Sequence, residues 1–153
     1  MKKLGKSSKK GFTLVELIVV IVILAVLAAM LVPALIGYVD RAKKEKDYQT
    51  ASTVYAAAQA AITEQYAKGN LSKPTADTTL TQTTTTKGTE TFGTVVLDLA
   101  GVSSSKVTKF SFVYGTDLII KSGSVTIKNG GETEVTYYLA TDGTWGPDAP
   151  SGT

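Results

Sequence analysis

Glu16 makes the clearest chemical demand in the chain. Phe12, Leu14 and Val15 precede it, and every side chain from Leu17 to Leu31 is apolar. The run continues through Val32 and, past Pro33, to Ile36. About 20 such residues cross a bilayer as a helix. A carboxylate near the start of a span is expensive in lipid and marks a functional position. Glu16 follows Phe12 by four residues, so the two share a face of an ideal helix. One reading is an acid that reaches water at the membrane interface. The other is half of an ion pair.

Other chemistry is limited by composition. The sequence has neither histidine nor cysteine, so Ser-His-Asp and Cys-His catalysis, His/Cys metal sites and disulfides are excluded. The segment beyond the helix holds no clustered acid pair, and no enzyme activity and no cofactor are expected. Asp142 and Asp148 in the C-terminal tail offer the oxygen ligands that calcium prefers. No liganding pattern accompanies them, and Asp142-Gly143 also reads as a plain turn.

The charge is concentrated at one end. The formal charge is +3, with 16 basic and 13 acidic residues. Five of the lysines, Lys2, Lys3, Lys6, Lys9 and Lys10, precede Gly11. Without them 11 basic residues face 13 acidic ones, a net of −2. Nucleic acid is therefore not an expected direct partner of a chain that loses this segment. The lysines hold the N-terminus in the cytoplasm, which places the C-terminal part outside. A small-residue cleavage site after the apolar run is missing; Ala28-Ala29-Met30 is the nearest candidate.

Together these residues carry a resemblance. Lys9-Lys10-Gly11-Phe12-Thr13-Leu14-Val15-Glu16 resembles the processing motif of type IV prepilins and type II secretion pseudopilins. The resemblance is specific over Lys9–Pro33 and extends to about Gly69. It implies that a membrane prepilin peptidase cuts between Gly11 and Phe12 and methylates the new Phe12 amine. It implies assembly roles for Phe12, Glu16 and Pro33, with Glu16 paired to the free Phe12 amine of a neighbouring subunit. It also implies an assembly machine that stacks the helices into a homopolymeric filament. Two departures stand out. Many pilins have glycine where this chain has Ala25, and the lack of a disulfide favours a Gram-positive source.

The remaining elements follow from patterning. Pro33 lacks an N–H, so a kink or local opening is expected there, with Gly37 adding flexibility. Past Val39 the helix becomes amphipathic. Asp40–Asp47 is a mixed charged stretch, either solvated or a subunit contact. Tyr48, Ala51, Tyr55, Ala58 and Ile62 form one apolar stripe that should pack on a sheet. Gly69-Asn70 stops the helix, which would span about 85 Å from Phe12 at 1.5 Å per residue. Residues 71–94 are rich in threonine and read as a surface loop with room for a short strand. O-linked sugars are an option there, whereas the Asn70-Leu71-Ser72 sequon is not expected to be used. Val95–Val102 fits either a strand or a short helix. From Val107 the pattern alternates, with Phe110, Phe112 and Tyr114 on one face, then Leu118–Lys121, then Val125 with Ile127 and Val135 with Tyr137 and Leu139. Asn129-Gly130-Gly131 is a hairpin turn. Trp145 should anchor the tail.

The expected fold class is α+β, a long N-terminal helix on an antiparallel sheet of three to five strands. Five segments follow: residues 1–11 as leader, 12–37 as hydrophobic helix, 38–69 as its amphipathic half, 70–94 as threonine-rich loop and 95–153 as β domain. The expected function is a major type IV pilus subunit. It would be single-pass in the cytoplasmic membrane before assembly and in a surface filament afterwards, serving adhesion, motility, aggregation or DNA uptake. The alternatives are a pseudopilin of a secretion or competence system and, in a different class, a monomeric membrane-anchored enzyme or receptor.

Overall fold

A computed structural model describes residues 11–86, 90–128 and 133–149. It contains helix α1 (Leu14–Ala67), strand β1 (Thr78–Thr81), helix α2 (Phe92–Ala100), and strands β2 (Val107–Tyr114), β3 (Ile120–Lys128), β4 (Glu134–Leu139) and β5 (Trp145–Gly146). The chain divides into two compact units, Met1–Lys43 and Lys44–Thr153, with the boundary inside α1.

In the second unit, the C-terminal part of α1 packs on an antiparallel sheet of order β1-β2-β3-β4-β5. Alternation in the sequence sets the buried face. Phe110, Phe112 and Tyr114 point inward from β2, Val125 and Ile127 from β3, and Tyr137 and Leu139 from β4. They meet Ala51, Val54, Ala57, Ala58, Ala61 and Ile62 of α1 in one core. Small residues on that helix face let it approach the aromatic side of the sheet. Full burial of a side chain such as Ile62 or Phe112 contributes about 1.5–3 kcal/mol.

The buried helix face differs slightly from the expected stripe. Ala51, Ala58 and Ile62 lie at its centre, but Tyr48 and Tyr55 are only half-buried. They flank the core through edge-on ring contacts, Tyr48 with Tyr137 and Tyr55 with Phe112. Val54, Ala57 and Ala61 take the central places. Tyrosine suits a flank because its ring packs while its hydroxyl reaches water. The helix ends as the sequence indicates: Gly69 adopts φ 71°, and the amides of Asn70 and Leu71 return to the Gln65 carbonyl. The Asn70 side-chain amide donates to Gln65 Oε1 at 2.8 Å.

The threonine-rich segment supplies edge strand β1, whose Leu80 is buried opposite Phe112. The ambiguous stretch resolves as α2. Thr91 caps its first turn and Gly101, at φ 62°, closes its last. The start of α2 sits so close to β1 that a Cβ at Gly93 would fall 2.4 Å from the Gln82 carbonyl oxygen. Phe92 then packs edge-on against Phe110. Gln59 ties α1 to the β2–β3 turn: its amide donates to the Leu118 carbonyl at 2.8 Å and accepts from Ile120 N at 2.9 Å. The Asn129-Gly130-Gly131 turn lies outside the described residues; the strands on either side pair at Lys128–Glu134. In the tail, Trp145 packs half-buried against the core.

One buried polar pair had no signal in the hydrophobic pattern. Asp47 is 2% exposed, and Tyr137, buried beside it, donates its hydroxyl to Asp47 Oδ2 at 3.0 Å. Burial, that hydrogen bond and the Asp47 charge push the Tyr137 phenol from 10.0 to about 12. A phenol raised in the folded state remains protonated after the unfolded chain has ionised, so stability is lost as pH rises from about 10 to about 12. Thermal unfolding of the full chain in detergent should show that alkaline decline, and Tyr137→Phe should flatten it. At neutral pH the same change should cost about 1–3 kcal/mol, since Asp47 loses a buried donor.

A second expectation comes from Gly123, which pairs with Phe112 across β2 and β3. A Cβ there would lie 2.2 Å from the Phe112 ring. Gly123→Ala should therefore destabilise the second unit by about 1–3 kcal/mol, measured by the same unfolding experiment. Gly146→Ala, which meets no neighbour within 4 Å, is the matched control.

Candidate processing and assembly site

The site expected from the sequence lies in the first unit. Gly11, Phe12 and Thr13 precede α1 and are exposed, with Phe12 at 86%. Helix α1 begins at Leu14 because Thr13 caps it. The Thr13 carbonyl accepts the first helical bond, from Leu17 N, at 3.2 Å. The Thr13 hydroxyl accepts from Glu16 N at 3.3 Å. In return Glu16 Oε2 accepts from Thr13 N at 2.9 Å and from Thr13 Oγ1 at 2.8 Å. This is a reciprocal capping box, in which the Thr and Glu side chains satisfy backbone donors at the open helix end. An acid in the first turn also meets the positive end of the helix dipole.

The partner that the resemblance implies for Glu16 is the free Phe12 amine of a neighbouring subunit, which exists only after cleavage. In the uncut chain the Phe12 nitrogen is a peptide nitrogen and carries no charge, and Thr13 holds the carboxylate. The three-residue spacing Thr13-Leu14-Val15-Glu16 is the sequence signal for this box.

Behind Glu16 the large apolar side chains stay uncovered. From Leu14 to Val39 they are between 44% and 74% exposed. Among the described residues α1 is the one helix long and apolar enough to cross a membrane. Pro33 lies inside it. Its N–H would have bonded the carbonyl of residue 29, so that acceptor is left without its helical partner.

Residues 6–32 match the family model of the prokaryotic N-terminal methylation motif. The matched segment contains Gly11, Phe12, Thr13 and Glu16 and ends one residue before Pro33. The chain carries a type IV prepilin-like signal. The match supports the type IV pilin and pseudopilin family. That family is structural, and its motif implies processing by prepilin peptidase and assembly into pilus-like polymers. The prepilin motif and the long apolar helix near the N-terminus fit a membrane-anchored precursor. No curated protein and no solved structure matches the chain.

Among the described residues no group of three or more Asp, Glu, His or Cys side chains is placed to hold an ion. Asp142 Oδ1 accepts from Thr144 N at 2.9 Å and from Thr144 Oγ1 at 2.6 Å, as an Asx turn. Those bonds hold the Asp142 carboxyl below its ordinary range. Asp148 lies exposed in the tail.

Proposed function

We propose that this chain is the major structural subunit of a type IV pilus. A prepilin peptidase cuts between Gly11 and Phe12 and methylates the Phe12 amine. The mature subunit waits in the cytoplasmic membrane through residues 12–37, with its C-terminal unit outside. Assembly then moves the helix from lipid into a filament core of its own copies. The observation that carries the reading is the uncovered apolar length of α1, most of which lies inside the matched methylation motif. A helix with this surface needs lipid or other helices around it at every stage.

Glu16 takes its assembly role in this reading once cleavage has created the Phe12 ammonium. A neighbour's ammonium then meets the carboxylate in a site shielded from water. Pro33 supplies the place where the helix can open when packed. Residues 38–69 continue into the outer unit, and 70–153 form the filament surface. A pseudopilin would share every one of these N-terminal features, and long surface filaments distinguish the pilus subunit from it.

Two outcomes follow. Gly11→Val should block maturation, so that only full-length precursor is found in membranes; normal cleavage of that variant contradicts the assigned bond. Glu16→Gln and Glu16→Leu should both insert in the membrane and both yield few filaments. Stranding one partner of a shielded pair costs about 3–5 kcal/mol, repeated at every subunit. The comparison is the membrane pool against the sheared filament fraction. Normal filament yield in both variants contradicts a required charge.

A further inference from the structure

The capping box stands within two residues of the bond assigned to the peptidase, and it controls where the helix starts. Hydrolysis of Gly11–Phe12 adds water across that peptide: hydroxide joins the Gly11 carbonyl carbon, the C–N bond breaks, and the Phe12 nitrogen leaves with a proton. The attacking group must reach the carbonyl carbon. In a helix continued towards the N-terminus, the Gly11 carbonyl would accept from Val15 N and the Phe12 carbonyl from Glu16 N. Here Glu16 N is taken by the Thr13 hydroxyl instead. Among the described residues neither the Gly11 nor the Phe12 carbonyl accepts a backbone hydrogen bond. Among the described residues a Cβ at Gly11 would meet nothing within 4 Å, and Phe12 beside it is 86% exposed.

We propose that Thr13 is a positioning residue for processing: with Glu16 it stops α1 at Leu14 and holds the Gly11–Phe12 bond outside the helix, open to the peptidase. The inference rests on the cleavage reading above. Gly11 contributes in the same sense, because glycine resists helix by about 1 kcal/mol relative to alanine. Glu16 then has two successive tasks that require different properties. Before cleavage it needs the hydrogen-bonding shape of a capping-box side chain, which glutamine also has. After cleavage it needs charge. Cleavage itself makes the competing partner, an ammonium on the residue next to the cap.

The test measures initial cleavage rates of the full chain in membranes with a prepilin peptidase, together with the mass of the product. Membrane insertion is checked first by alkaline extraction, and only inserted chain is scored. Thr13→Ala should be cut about fivefold more slowly, the factor that corresponds to a typical N-cap. Thr13→Ser and Thr13→Asp, which restore a cap, should recover most of the rate. Glu16→Leu should be slowed similarly, whereas Glu16→Gln should be cut near the parent rate while still failing to assemble. The proposal is overturned if Thr13→Ala is cut as fast as the parent or faster. It is also overturned if Thr13→Asp is as slow as Thr13→Ala, which would mean that the peptidase reads the threonine itself. A parent chain left uncut at Gly11–Phe12 removes the processing reading and this inference together. Normal cleavage dependence on Thr13 without filaments removes only the pilus assignment.

Discussion

An apolar helix must be covered, and among the described residues of the first unit nothing covers it. Its large side chains from Leu14 to Val39 stand open along their whole length. Burial of apolar surface is the main favourable term in association, at about 25 cal/mol per Å². Lipid tails or neighbouring helices can supply it; water cannot. The placement of charge follows from the same constraint. The one acid of the apolar segment sits in the first turn of α1, where open backbone donors and the helix dipole lower its cost.

The second unit solves its burial problem internally. Small side chains on α1 accept the aromatic face of the sheet, while Gly93 lets α2 approach Gln82 and Gly123 makes room for the Phe112 ring. A polar contact is buried with them, Asp47 to Tyr137, at the start of that unit's part of the helix. Breaking such a pair one-sidedly leaves a buried polar group short of a partner, which costs about 1–3 kcal/mol, more than the bond gains when made. Its position ties β4 to the helix, as Gln59 ties the β2–β3 turn.

Much of this was legible in the sequence because period and punctuation are local signals. The alternation of Phe110, Phe112 and Tyr114 gave a strand face, and Gly69-Asn70 gave the end of α1. What stayed hidden depended on tertiary context. Residues 78–81 fall in a stretch that reads as loop with room for a short strand, and the strand is not placed by pattern because Leu80 is its one large apolar residue. Val95–Val102 carries an apolar run too short to separate strand from helix by period, and the caps at Thr91 and Gly101 decide it. The burial of Asp47 could not be read from a charged stretch, since its partner lies 90 residues away in sequence. At the N-terminus, Glu16 was singled out by its cost in lipid, while its bond to Thr13 followed from a helix start that the apolar pattern alone does not fix.

The most direct measurement is electron microscopy of appendages sheared from the source cell, combined with mass spectrometry of their subunit. The account predicts filaments built mainly of this chain, each copy starting at a methylated Phe12. Appendages that lack the chain, with the protein found intact as a membrane monomer from Met1, would contradict it.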